Sequence, residues 1–445
     1  MAREPLHCML IGGGLAGGLL AATLGRAGLR VDLYERRPDP EAGQSVGGRS
    51  INLAISTRGI SALQRVGLAD EVLAQSLPMR GRMIHARDGS LHYQPYDKDP
   101  ARCINSVGRG TLNRVTIAAA RKLPNVRVHF NQRCIDADLD RPAATIIDGD
   151  AGRTHEVAGD LLIGVDGAFS AVRRAMQRLD RFDYRQDYLA HGYKELTIPP
   201  AGDGGFRMER HALHIWPRHS FMMIALPNPD GSFTCTLFYP FDGSAGFSGI
   251  RGDDDVRRLF DEQFPDAVPL MPTLLEDFRR NPTGSMVTVR CRPWRYRGRV
   301  VLVGDAAHAV VPFYGQGANA GFEDVAELDD CLRSHGGDVE RALAEYEARR
   351  KPNTDALAEL ALANFVEMRD KTASRAFRAY KKLDRTLHRL LPGWYTPLYT
   401  LVSFTTTPYA EALRRADRQD RAVFGSLALL VVVLALGLLA LWSMR

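Results

Sequence analysis

GDAAHAVVPFYGQGANAGFED, running from Gly304 to Asp324, is the stretch that decides the fold. The apolar run before it reads as a strand over 299–305 that ends on Gly-Asp. Pro312, Gly315 and Gly317 then describe a loop able to approach a flat ring closely, with a helix starting at about Ala318. Far upstream stands GGGLAG, Gly12–Gly17. A glycine turn after a first strand can hold many dinucleotides, but the pairing with a distant Gly-Asp loop is much rarer. Together they describe one flavin gripped at both ends by remote parts of the chain.

The N-terminal part is a βαβ unit. His7–Ile11 reads as a buried strand, a helix follows through Arg26, Gly28 ends it, and Leu29–Tyr34 is the next strand, closed by Glu35. Gly12 makes the tight turn, Gly14 lets the backbone approach a pyrophosphate, and Gly17 permits close helix–strand packing. The helix N-terminus offers N–H donors and a positive dipole to the phosphates. Glu35 is placed to accept bonds from ribose hydroxyls. Asp305 can accept from a polyol such as the ribityl chain, although an N-cap aspartate would read the same way. The helix start near Ala318 would aim its dipole at the pyrimidine edge of the flavin ring. Asp166-Gly167, after the apolar strand Asp160–Val165, adds a third contact region.

The chain has 445 residues, 45% hydrophobic and 25% charged, which predicts two or three domains with a large core. The net charge is +6 and the pI near 9.0. No basic run interleaves with aromatics, so nucleic acid is not the expected partner; anionic cofactors and an anionic membrane surface suit the charge better. Six widely spaced cysteines without a C-x-x-C pair suggest neither zinc nor a disulfide framework, and no metal is expected. The N-terminus does not read as a signal peptide. Ala422 to Met444 carries no charge, and Arg414, Arg415, Arg418 and Arg421 precede it. That pattern predicts a C-terminal membrane anchor with the body on the cytoplasmic side.

Two further regions read as strands. Met79–Ala86 and Leu91–Gln94 flank the turn Asp88-Gly89-Ser90, with Arg80 and Arg82 on one face. Phe221–Leu226 and Ser232–Tyr239 flank Asn228-Pro229-Asp230-Gly231, and alternation puts Met222, Ile224 and Leu226 on one sheet face. From Thr354 to about Leu391 the pattern is helical. Leu357, Leu360, Ala361, Phe365 and Met368 form an apolar stripe that contains Asn364, a polar amide needing a partner. The expected fold is α/β, α+β overall. A Rossmann-like FAD-binding domain (1–78, 100–182, 288–350) would carry a discontinuous antiparallel-sheet substrate domain (79–99, 183–287). C-terminal helices (351–421) and the anchor (422–444) follow.

GGGLAG, the DG of VDGAFSAVR, and the Gly304–Asp324 loop are similar to the motif set of single-component FAD-dependent aromatic hydroxylases. More narrowly, RSINLAISTRG (Arg49–Gly59), PMRGRMIH (Pro78–His85), HGYKEL (His191–Leu196), NFVEMR (Asn364–Arg369) and PLYTLVSF (Pro397–Phe404) resemble the kynurenine 3-monooxygenase family over essentially the whole chain. The resemblance implies FAD as cofactor, NADPH as reductant and dioxygen as co-substrate. It implies hydroxylation of L-kynurenine to 3-hydroxykynurenine through a flavin 4a-hydroperoxide.

It also assigns residues. Arg82 and Tyr96 would hold the substrate carboxylate, where arginine offers a planar fork for that group. On spacing alone Arg80 is an equal candidate; the resemblance selects Arg82. Asn364 and Tyr399 would supply further polar contacts to the amino-acid end. Leu213, Met222, Ile224, Leu226 and Phe238 would wall the ring, with Pro312, Phe313 and Tyr314 toward the flavin. The implied cofactor set is Gly12, Gly14, Ala16, Gly17, Tyr34, Glu35, Arg36, Arg37, Ala54, Arg109, Cys134, Asp166, Asp305, Gly317, Ala318 and Asn319. Ala318 stands where the family usually carries Met, but backbone N–H groups act there. The competing reading is a related membrane-associated FAD hydroxylase acting on a phenolic or quinone-precursor ring.

Overall fold

The computed structural model describes residues 4–41, 52–243, 245–371 and 375–443. Residues 49–51 of the RSINLAISTRG block and Met444 of the expected anchor lie outside them.

A six-stranded sheet runs in the order Arg295–Tyr296, Val300–Leu302, Leu161–Gly164, His7–Ile11, Arg30–Tyr34, Val126–His129. All neighbours are parallel except the first pair. Parallel strands covered on both faces must be apolar on both. His7–Ile11 obeys this: Cys8, Met9 and Leu10 are completely buried. The helix Leu15–Arg26 packs against Arg109–Arg121 and Gly317–Ser334. Gly12 sits at φ +110°, and a Cβ there would lie 2.6 Å from the Val165 carbonyl oxygen. At Gly17 a Cβ would lie 1.9 Å from the Gly12 carbonyl oxygen. Both glycines are therefore set by close backbone approach.

A seven-stranded sheet holds Gly284–Arg292, Asp183–Ile198, Phe233–Pro240, Met222–Pro227, Ala212–Pro217, Gly81–His85 and Leu91–Pro95, in that order. The strand Gly284–Arg292 belongs wholly to this sheet, and the chain rejoins the first layer only at Arg295. Both expected hairpins form, with registers Gly81↔Pro95 and Met222↔Phe238. Period-two alternation divides the faces. Met223, Ala225, Cys235 and Leu237 pack on Phe260 and Phe264 beneath the sheet. Met222 and Phe238 pack above it, with Phe313 and Phe365. The strand expected over 299–305 is shorter, Val300–Leu302. Gly304 turns the chain at φ +62° into the one-turn helix Asp305–His308, so Gly304 holds the N-cap position and Asp305 does not.

The chain closes with helices Val339–Val366, Arg375–Leu390, Leu398–Ser403 and Tyr409–Ser443. Among the described residues no helix is long and apolar enough to cross a membrane. The anchor expected over 422–444 therefore stands as an exposed apolar helix end, with Val433 56%, Leu436 61% and Trp442 78% exposed. The six cysteines are free.

Candidate active site

One cavity of about 830 Å³ lies between the two sheets. Gly12, Gly14, Ala16, Tyr34, Glu35, Arg36, Arg37, Ala54, Arg109, Cys134 and Asp166 line it, with Asp305, Gly317 and Ala318. Two helix N-termini open on it, Leu15–Arg26 and Gly317–Ser334, and neither has a side-chain cap. Such ends leave N–H donors unspent, and an anionic ligand satisfies them. A Cβ on Gly14 would meet no protein atom within 4 Å, so the open space beside it belongs to the cavity. Asp166 receives the Ala171 N–H at 2.7 Å on one oxygen, while its buried Oδ1 has no well-formed hydrogen bond among the described residues. Asp305 lines the cavity and is exposed to it, while desolvation by the surrounding protein raises its carboxyl above the ordinary range. These features fit a dinucleotide with a polyol and a flat ring, which is to say FAD.

Glu35 is more occupied than expected. Its two oxygens accept the Gly13 N–H at 2.6 Å and the Arg37 N–H at 2.9 Å. Each oxygen keeps a second lone pair for a ribose hydroxyl. Two residues of the expected cofactor set stand behind the wall. Gly17 is consumed by packing on Gly12. Asn319, fully buried, accepts the Ser56 N–H at 2.9 Å and donates to the carbonyls of Ala54 and Gly315. It shapes the ring-facing loop from within.

The far end of the cavity is largely apolar and holds the Arg82 cation. Leu213, Ile224, Leu226, Phe238, Pro312, Phe313 and Tyr314 line it, together with Arg82 and Tyr399. Arg82 pairs in register with Leu213 and so shares its face, whereas Arg80 is exposed. The Arg82 guanidinium lies 5.0 Å from the Tyr399 ring, 5.7 Å from the Tyr96 ring, and 3.7 Å from Glu367 Oε1. Burial opposes its charge, and the Glu367 carboxylate favours it. Arg82 Nε has no hydrogen-bond partner among the described residues. Burial likewise raises the Tyr96, Tyr314 and Tyr399 phenols, which therefore stay neutral.

Three residues expected to face the substrate stand behind this wall. Tyr96 stacks on Tyr399 at 4.9 Å between ring centroids, and its hydroxyl makes no well-formed hydrogen bond among the described residues. Asn364 donates to the Phe313 carbonyl at 2.6 Å and contacts Met368 Sδ at 3.2 Å. Its amide thus ties the Pro312–Tyr314 turn to the long helix. Met222, register partner of Phe238, is completely buried in the cluster that also holds Phe313.

Sequence reasoning missed Glu367 and the cavity-lining Met368. A signal was present: both follow Asn364 at helical spacings of three and four, inside NFVEMR. It also missed a buried network behind the loop. Asp324 accepts from Gly304 N at 3.0 Å, Arg350 Nε at 2.6 Å and His308 Nε2 at 2.5 Å. Arg350 also reaches Glu323 at 2.5 Å, and Glu323 takes Arg58 at 2.7 Å.

The family model described as "FAD binding domain" matches residues 6–361. The kynurenine 3-monooxygenase of Salinispora tropica is 48% identical over 440 residues, covering 98% of this chain and 96% of its own. That of Dictyostelium discoideum is 46% identical over 415 residues, covering 91% and 89%. Among solved structures, the tetrameric form of 2-methyl-3-hydroxypyridine-5-carboxylic acid oxygenase has a TM-score of 0.68 over 84% of this chain and 95% of its own. At 24% identity that is a likeness of fold alone.

Proposed function

The chain belongs to the kynurenine 3-monooxygenase family of FAD-dependent hydroxylases, and from that premise we propose that it hydroxylates the aryl ring of L-kynurenine, with NADPH as reductant and dioxygen as co-substrate. The observation that carries this reading is the buried Arg82 guanidinium, with an unspent Nε, at the apolar end of the cavity. A substrate carboxylate satisfies that donor. Glu367, 3.7 Å from the same guanidinium, suits the α-ammonium of the same amino acid. A phenolic or quinone-precursor ring without a carboxylate would leave that buried Nε donor without a partner.

When bound, the flavin supplies the activated oxygen. The chain's own residues do the positioning. Arg82 and Tyr399 fix the amino-acid end, with Tyr96 stacked behind Tyr399 as support. Leu213, Ile224, Phe238 and Phe313 exclude water and align the aryl ring. Asp305 and the helix beginning at Gly317 hold the cofactor end. The amino substituent of the substrate already activates its ring, so no general base is assigned.

NADPH consumption is expected to rise on adding L-kynurenine, with a product heavier by one oxygen atom. Unstimulated consumption, or a product of unchanged mass, overturns the reading.

For the C-terminal helix we propose attachment to an anionic membrane surface, with the body on the cytoplasmic side. Support comes from the exposed Phe424, Leu429, Val432, Val433, Leu434, Leu436 and Trp442, and from Arg414, Arg415, Arg418 and Arg421 on the preceding turns. The full chain is expected to float with vesicles containing anionic phospholipid, and a chain ending at Arg421 to stay behind. Equal flotation of the two would defeat the assignment.

A further inference from the structure

Arg58 lies in the block RSINLAISTRG, four residues beyond the cavity-lining Ala54, and does not itself line the cavity. It is among the largest fully buried side chains, at 1% exposure. We propose that Arg58 is a positioning residue whose guanidinium locks the segment carrying Tyr399 to the flavin-facing loop, keeping the two walls of the cavity in one register.

Each part of the guanidinium is engaged, and its partners come from two separate pieces of chain. Nη1 donates to Glu323 Oε1 at 2.7 Å, on the helix that starts at the cavity. Nε donates to the Val402 carbonyl at 3.1 Å, and Nη2 to the Thr407 carbonyl. Val402 lies in the last turn of the helix Leu398–Ser403 that carries Tyr399. Carbonyls of a last turn have no partner within the helix and favour a cation. The flat face of the guanidinium lies against the Tyr409 ring, 4.0 Å from its centroid.

A second tie runs in parallel. The Tyr409 hydroxyl donates to Gln316 Oε1 at 3.0 Å, immediately before Gly317. Two residues before Arg58, the Ser56 N–H reaches Asn319 in the first turn of the helix Gly317–Ser334. Arginine alone offers a planar, permanently charged fork that can stack, pair with a carboxylate and serve two carbonyls together. Lysine keeps the charge but cannot span these partners. A buried ion pair is a poor way to gain stability alone, which favours a role in fixing geometry.

The kinetic arm of the test rests on the proposed hydroxylation; the hydrogen-exchange arm does not. Arg58→Lys and Tyr409→Phe are made in the full, FAD-loaded chain. In Arg58→Lys, amides across 398–409 are expected to exchange about tenfold faster, with the six-stranded sheet unchanged. KM for L-kynurenine should rise about tenfold with kcat within about twofold, and more NADPH should be spent without hydroxylated product. Tyr409→Phe should shift KM about threefold in the same direction. A uniform rise in exchange over the whole chain, or unchanged KM and coupling in both variants, overturns the proposal. If Arg58→Lys does not fold, Tyr409→Phe decides, and unaltered exchange across 398–409 there sinks it. A wild-type chain without kynurenine-stimulated turnover refutes the hydroxylation reading, while exchange still judges Arg58.

Discussion

Arg82→Ala is expected to raise KM for L-kynurenine about 100-fold while FAD stays bound. A hydrogen bond between charged partners contributes about 1.5–3 kcal/mol, or roughly 10- to 150-fold. Deletion also leaves Glu367 facing the substrate carboxylate without its guanidinium, 3.7 Å away in the free protein. The new repulsion adds to the lost attraction. A double-mutant cycle of Arg82→Ala with Glu367→Gln should show coupling between the two positions. Arg82→Lys should fall between wild type and Arg82→Ala, since an ammonium keeps the charge but loses the fork. Isothermal titration of L-kynurenine into the FAD-bound variants measures these effects without relying on turnover. Unchanged affinity in Arg82→Ala would mean that the carboxylate binds elsewhere.

The βαβ unit and the loop at Gly304–Asp324 were legible because glycine chemistry is local. Gly12 at φ +110° and Gly304 at φ +62° need that residue whatever the rest of the fold does. The sheet face bearing Met222, Ile224 and Leu226 follows from period-two alternation, and the register adds Phe238 to it beside Met222. Alternation cannot tell cavity wall from core: Met222 shares the face of Ile224 but is completely buried in the cluster with Phe238 and Phe313. Asn364 shows the same limit. A polar residue in an apolar stripe announces a hydrogen bond but not its direction, and here it points to the Phe313 carbonyl. The Arg58–Glu323–Arg350–Asp324 chain was not legible at all. Its members are more than 250 residues apart at one link, and long-range pairing leaves no mark in local periodicity.

Asp324→Asn is expected to destabilise the fold by about 3–5 kcal/mol, the usual cost of removing one partner from a buried ion pair. Asp324 is completely buried and serves Gly304, His308 and Arg350 together. An asparagine oxygen can still accept the Gly304 N–H, but it leaves the Arg350 cation with Glu323 as its remaining carboxylate. Burial by itself would raise the Asp324 carboxyl; His308 and Arg350 outweigh it and hold the pKa at about 2. The folded value thus lies below the unfolded one, near 4. The stabilisation is complete above about pH 4 and is lost as pH falls through about 2. Urea midpoints taken from pH 7 to pH 2 should fall more steeply for wild type than for Asp324→Asn, so that the two curves converge in acid. FAD affinity should drop in the variant at neutral pH, because Gly304 and Asp305 sit on the loop that Asp324 holds. Parallel curves across that range would show that the Asp324 charge does not stabilise the fold.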